Sequence, residues 1–310
     1  MKKVFIDGGA GTTGLRIKNR LSARDDLEII TLPDDKRKDI EYRKECLNTS
    51  DVSILCLPDD AAKQAVSLVE NPDTVIIDTS TAHRTDDDFA YGFPEIFDYR
   101  NKIKTATRIA NPGCHATGFT TLIAPLIENG MLFPDARLTC FSITGYSGGG
   151  KKMIAQYESE NRQTNLDSPG LYGLTQSHKH LPEMVKHCKL KEIPVFCPVV
   201  APYYSGMQVT VPLFKSDINY SLSDIKELYI SYYASSLIKF SKSEDNTLYA
   251  GCFSGFDDMQ ITVEGNEDRI LLISRFDNLG KGASGAAIQN LNICLGIEEY
   301  KGLIFKERTL

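Results

Sequence analysis

Hydrophobic positions follow two rhythms along the chain. In the first third they come in short continuous runs: Lys3-Val4-Phe5-Ile6-Asp7, Leu27 to Leu32, Val52 to Leu57 and Thr74 to Asp78. Unbroken apolar runs of this length suit strands buried on both faces. Between them lie helix-like stretches, one reaching about Ala23 and one from Ala61 to Val69, which Asp59 can cap. Strands alternating with helices at this spacing predict a parallel, doubly wound α/β sheet. A further strand over Ala106 to Ala110 leads through Asn111-Pro112-Gly113 to an apolar helix over Phe119 to Ile127. In the second half the rhythm changes to strict alternation. Arg137 to Gly145 is strand-like, and Met207 to Leu213, Met259 to Val263 and Ile270 to Phe276 predict an antiparallel sheet. Ser221-Leu-Ser-Asp224 reads as a capping box opening a helix to about Ile238. A last helix of small residues runs through Leu295, and its composition predicts close packing back onto the first domain.

Composition narrows the class. With 310 residues, 42% of them hydrophobic, the chain has material for one large or two medium domains. A net charge of −6 with no basic stripe argues against a nucleic-acid partner. No apolar run approaches about 18 residues, so no membrane span is expected. The 8 cysteines show no regular spacing and no CxxC pair, and no signal peptide is evident. They read as reduced thiols of a cytoplasmic protein.

The chemistry concentrates in a few stretches. Gly8, Gly11 and Gly14 stand between the first strand and the first helix, with Thr12 and Thr13 at the helix start. This arrangement lets backbone approach a pyrophosphate and presents a helix N-terminus to it, so it predicts dinucleotide binding. The second strand ends in Thr31-Leu32 rather than an acid, and Lys36-Arg37-Lys38 follow. That pattern favours a 2′-phosphate, hence NADP(H). Cys114, just past Asn-Pro-Gly, falls at or just before a helix N-terminus, where the helix dipole and free N–H groups favour the thiolate. A nucleophile and a buried structural cysteine are both open on that placement alone. Gly145-Tyr-Ser-Gly-Gly-Gly-Lys-Lys152 can hold an anion but lacks a nucleoside-triphosphate signature. His178 and His180 share a face if extended, ahead of Pro182 and Glu183 at a helix start. General acid–base work fits them better than metal binding, for which no third ligand is spaced. His83 reads as a hydrogen-bonded loop residue.

Several of these stretches together resemble the N-acetyl-γ-glutamyl-phosphate reductases. They are Ala110-Asn-Pro-Gly-Cys114-His-Ala-Thr117-Gly, the N-terminal glycine loop, Gly92-Phe-Pro-Glu95, Gly145 to Lys151, His178-Lys-His180-Leu-Pro-Glu183 and Asp277-Asn278-Leu-Gly-Lys281-Gly-Ala-Ser-Gly285. The resemblance covers nearly the whole chain and points to the shorter type. It departs at His115, where an aromatic is common, and at Thr79 and His83. It implies a Rossmann-type domain over 1–113, joined again by 282–310, and an α+β catalytic and oligomerisation domain over 114–281. The second would be similar to that of glyceraldehyde-3-phosphate dehydrogenase. It implies NADPH-dependent reduction of an acyl phosphate through a Cys114 thioester, in arginine biosynthesis, by a homo-oligomer (dimer or tetramer) with no metal. In that reading His180, then His178, moves the proton and Glu183 orients one of them. Ser147, Gly148 and Asn111 meet the substrate. Gly8, Gly11, Thr12, Thr13, Gly14, Lys36, Arg37, Asn278 and Lys281 meet the cofactor. The same chemistry on N-acetyl-aminoadipyl or aspartyl phosphate, or a non-catalytic NADP-binding sensor, are the alternatives.

Overall fold

The computed structural model describes residues 1–37, 39–243 and 245–306. Its first part runs β1 (Lys2–Asp7), α1 (Thr12–Leu21), β2 (Leu27–Thr31), α2 (Ile40–Thr49), β3 (Val52–Leu55), α3 (Asp59–Ser67), β4 (Val75–Asp78), β5 (Ala90–Tyr91), α4 (Tyr99–Thr105) and β6 (Arg108–Ala110). The strands are all parallel, in the order β2-β1-β3-β4-β6-β5. Successive side chains on a strand face opposite ways, and here both directions are buried. Val4, Ile6, Ile54 and Ile77 pack with Ile17 and Leu21 of α1. Phe5, Leu55 and Ile76 pack with Cys46 and Leu47 of α2 and Ala65 of α3. The unbroken apolar runs therefore reflect a sheet with helices on both faces.

The second part runs α5 (Cys114–Glu128), β7 (Thr139–Gly145), α6 (Gly150–Glu158), β8 (Gly170–Leu171), α7 (Leu181–Cys188), β9 (Val195–Ala201), β10 (Met207–Phe214), α8 (Leu222–Tyr232), β11 (Ile238–Phe240), β12 (Met259–Gly265) and β13 (Arg269–Phe276). A last helix, α9 (Gly285–Cys294), places Ala287, Ile288 and Leu291 in the core with β1 and α1. Two compact units result. One comprises Met1–Pro94, Asp98–Gly113 and Ala283–Leu303; the other comprises Glu95–Phe97, Cys114–Gly282 and the chain from Ile304. Residues 307–310 of the expected returning segment lie outside the described residues.

The second unit's sheet has the order β11-β12-β13-β10-β7-β9-β8. It is mixed rather than antiparallel, because β7 pairs with β9, and β11 with β12, in parallel. A long connection through α6, β8 and α7 gives β9 the room a parallel return needs. The capping box is present, with Ser221 and Asp224 bonded reciprocally. Its helix ends at Tyr232, however, not near Ile238, which begins β11. The glycine-rich stretch is also more ordered than a loop. Tyr146–Gly149 form a 3₁₀ turn that leads directly into α6, and Tyr157 stacks on Tyr146 at 4.7 Å.

The helix α5 is the core of this unit, with Phe119, Leu122, Ile123 and Leu126 all buried. It starts at Cys114, earlier than the apolar run indicates, and carries Pro125 in its interior. A proline there removes the hydrogen bond to the carbonyl four residues back, that of Thr121. The Tyr233 hydroxyl donates to the Thr121 carbonyl at 2.9 Å, and that of Tyr229 donates to the Leu122 carbonyl. Tyr233 thus replaces the donor that proline lacks. Tyr233→Phe should lower stability by about 1–3 kcal/mol, the cost of a buried polar group left unpaired. Pro125→Ala in the same chain should recover part of the loss by restoring the backbone donor. Urea midpoints of the wild type, both single variants and the double variant check this; additive losses would refute the pairing.

Candidate active site

In the first unit the carboxyl ends of β1, β3 and β4 align, since Asp7 pairs with Leu55 and Leu55 with Asp78. Ligands of open parallel sheets bind beyond such ends. Gly8 follows β1 with φ +82°, and a Cβ there would lie 2.3 Å from the Cys56 carbonyl oxygen, so only glycine makes this turn. The turn opens onto a cavity of about 250 Å³ whose wall includes Gly8, Gly9, Lys18, Thr31, Arg37 and Arg43. The start of α1 has no side-chain cap and no acid in its first turn. Thr12 Oγ1 is buried without a hydrogen-bond partner among the described residues. An uncapped helix start and an unsatisfied hydroxyl fit a phosphate. The wall at the end of β2 is neutral, with Thr31 and Leu32 in place of an acid. Lys36 is exposed and pairs with Asp39 at 3.0 Å; Lys38 lies outside the described residues. Arg43, with no local sequence signal, pairs with the buried Asp7 at 3.0 Å and donates to the Arg37 carbonyl at 2.9 Å. Burial pushes Asp7 up and Arg43 opposes it.

In the second unit Cys114 opens α5, where the helix dipole favours an anion. It lines a cavity of about 290 Å³ with His115, Gly148, Tyr172, His178 and His180. The two predicted histidines therefore line the same cavity as the cysteine. They are not extended, because His180 is helical at the start of α7 and Leu181 N–H bonds back to the His178 carbonyl. Their rings lie 4.9 Å apart. His178 Nδ1 accepts from the His180 N–H at 3.3 Å, so its own proton sits on Nε2. Burial, then Lys179, lowers the pKa of His178. His115 is buried beside them, its Nδ1 2.7 Å from Ser142 Oγ and its Nε2 2.7 Å from Tyr172 Oη. Burial, helped by His178, pushes it down to about 3.

Other residues singled out in the sequence form the framework. Gly148 is on the cavity wall, but Ser147 is buried behind it. Its hydroxyl accepts from Asn278 Nδ2 at 3.0 Å and its N–H donates to the Tyr204 carbonyl. Asn278 Oδ1 takes the Gly206 N–H. Lys281 is buried and pairs with Glu95 at 2.6 Å, joining two of the stretches that carried the resemblance. Gly282 abuts Cys114, where a Cβ would lie 2.9 Å from the cysteine Cβ. In the first unit, Asn111 has both ends of its amide engaged, by the Ala283 carbonyl and by Asn290. Glu183 is fully buried on α7 and is not on the cavity wall. His83 pairs with Asp78 at 2.7 Å and stacks on Phe89, as a hydrogen-bonded loop residue. All 8 cysteines are free. No metal-ligand cluster and no helix long and apolar enough to cross a membrane occur among the described residues.

Comparison with known proteins gives a consistent picture. Residues 3–106 match the family described as semialdehyde dehydrogenase, NAD binding domain. Residues 114–278 match semialdehyde dehydrogenase, dimerisation domain. The N-acetyl-gamma-glutamyl-phosphate reductase 2 of a Nostoc species is 44% identical, over 97% of this chain and 99% of that protein. The N-acetyl-gamma-glutamyl-phosphate reductase of Brucella ovis is 44% identical over 95% of this chain and 99% of its own. In fold the chain is similar to aspartate semialdehyde dehydrogenase II of Vibrio cholerae, with a TM-score of 0.73, 14% identity and coverage of 96% and 98%.

The neutral His115 has a consequence for stability. Between its ordinary 6.5 and about 3, the unfolded chain takes up a proton that the folded one refuses. Stability is therefore unaffected by this group above pH 7 and falls as pH drops below 6.5, by up to about 1.4 kcal/mol per pH unit. In His115→Gln the urea midpoint should fall less steeply between pH 6 and 4 than in the wild type. Parallel curves would show that His115 does not contribute.

Proposed function

The chain belongs to the N-acetyl-γ-glutamyl-phosphate reductases of the semialdehyde dehydrogenase family, and we propose that it reduces N-acetyl-L-glutamyl 5-phosphate with NADPH, giving N-acetyl-L-glutamate 5-semialdehyde and phosphate in L-arginine biosynthesis. One observation carries the chemistry: a cysteine at the start of a buried helix shares its cavity with His178 and His180. The Gly8 turn, the uncapped start of α1 and Thr12 fit a dinucleotide's phosphates. Arg37 on the wall beside the neutral end of β2 supports a 2′-phosphate, hence NADP(H). The match to a dimerisation domain supports a homo-oligomer, which we place in the cytoplasm.

An acyl phosphate is already activated, so no nucleotide hydrolysis is needed. The Cys114 sulfur attacks the γ-carbonyl; the C–S bond forms, the C–O bond to phosphate breaks, and phosphate leaves with the electron pair. The dinucleotide, when bound, supplies the hydride that reduces the thioester. His180 then holds the proton at the oxygen of the tetrahedral thiohemiacetal, and collapse releases the aldehyde and returns the thiolate. Such a residue is typically worth about 10²–10⁴ in rate. His180 is the better placed: it is buried and packs on both His115 and His178. His178 stands beside it with its proton on Nε2, and Glu183, buried in the first turn of α7, is the residue we assign to orienting one of the two.

NADPH formation from N-acetylglutamate semialdehyde and phosphate tests the reaction in reverse. The wild type should be active and Cys114→Ser should lose about 10³-fold or more. Near-normal turnover in that variant would rule out the thioester. For the cofactor, Arg37→Ala should cut the preference for NADPH over NADH by about tenfold or more, since hydrogen bonds to charged groups contribute about 1.5–3 kcal/mol. Lys36→Ala should matter less, because that side chain is paired with Asp39 and absent from the cavity wall. Equal preferences in wild type and Arg37→Ala would remove Arg37 from the site.

A further inference from the structure

We propose that Tyr172 is a further residue of the reacting centre, donating a hydrogen bond to the Cys114 sulfur anion, and that Ser142 and His115 are the positioning pair that directs its proton there. This rests on the reading of Cys114 as the nucleophile.

The argument follows the protons. A neutral imidazole has one donor and one acceptor nitrogen, and His115 is held neutral by burial. Ser142 on β7 is fully buried, and among the described residues its hydroxyl has no hydrogen-bond partner but His115 Nδ1. A buried O–H without an acceptor is costly, so Ser142 donates to Nδ1. The imidazole proton then resides on Nε2, which donates to Tyr172 Oη at 2.7 Å. The phenol oxygen is thereby an acceptor toward His115, and its own proton must point elsewhere. The described residues give the Tyr172 hydroxyl no second hydrogen bond, which leaves its proton available to an anion in the cavity that Tyr172 and Cys114 both line. Burial first, and then the charge on Cys114, raises the pKa of Tyr172. It stays protonated in the cavity it shares with Cys114, a donor and not a base. A hydrogen bond to an anion is stronger than one between neutral groups and favours the charged form. Were the tautomer reversed, Tyr172 would donate to His115 and turn its lone pairs toward the thiolate. Ser142 prevents that.

The test is the pH dependence of Cys114 alkylation by iodoacetamide in the full-length protein, read by mass spectrometry of its peptide. The titratable groups on the cavity besides Cys114 are His115, Tyr172, His178, Lys179 and His180, and all but the residue substituted are retained. Tyr172→Phe should raise the labelling midpoint by about one pH unit, as expected on losing a hydrogen bond to the charged form. Ser142→Ala, which leaves the cavity wall intact, should shift it the same way by less, because Nδ1 is then free to take the proton. The double variant should shift no further than Tyr172→Phe. His115→Phe should match Tyr172→Phe, while His115→Gln, with an N–H near the Nε2 position, should return the midpoint to the wild-type value. A purely structural role would change melting temperatures and leave the midpoint in place. An unshifted midpoint in Tyr172→Phe overturns the proposal. A shift there with none in Ser142→Ala overturns the positioning pair. Should Tyr172→Phe fail to fold, Ser142→Ala and His115→Phe decide, an unshifted midpoint in both overturning the proposal. If wild-type Cys114 labels no faster than the other thiols, the nucleophile reading falls and this one with it. A fast Cys114 indifferent to Tyr172 sinks only the present inference.

Discussion

The proposed reacting centre depends on α5 being enclosed by its own unit. A cysteine gains from a helix N-terminus only while that terminus stays where it is, and a frayed first turn would disperse both dipole and free N–H groups. Here His115, Ala116, Thr117 and Gly118, the residues just after Cys114, are already buried. The helix cannot unwind from its start without exposing core. Its one internal weakness, the proline, is covered by a tyrosine from another helix. On the other side Gly282 closes against the cysteine with no side chain of its own.

A second constraint is charge buried inside the framework. Lys281 and Glu95 meet almost without solvent. Such a pair adds little net stability, because desolvation offsets the attraction, yet losing one partner is costly. It acts on arrangement, holding the chain around Lys281 against the residues around Glu95. Asn278 works likewise through neutral bonds, tying Ser147 to Gly206.

Much of this was legible in the sequence, and the limits are physical. Continuous apolar runs gave the parallel sheet, because burial on both faces leaves no alternation to misread. Asn-Pro-Gly announced the start of α5, since turn chemistry is local. The mixed second sheet was not legible: alternation reports a face, not the direction of a neighbour. Among site residues, Cys114, His178 and His180 stood in compact motifs. Arg43 and Tyr172 did not, because they reach their places through pairing with Asp7 and His115, 36 and 57 positions away. Asn111, Ser147, Asn278 and Lys281 sit in conspicuous motifs and also hold neighbours in place. A motif records that a residue matters, and only its hydrogen bonds say for what.

The order of segments along the chain also bears on how the molecule is made. The first unit begins at Met1 but draws Ala287, Ile288 and Leu291 of α9 into its core. During synthesis its sheet can pair early, while the face that α1 covers lacks α9 until about 180 further residues have been added after Gly113. At roughly 5–20 residues per second that is a wait of roughly 10–35 s. The intervening unit, whose sheet and α5 are complete by Phe276, can condense during that interval. The portion translated first is thus the portion finished last. In the interim the face that α1 covers lacks the apolar contacts that Ala287, Ile288 and Leu291 later supply.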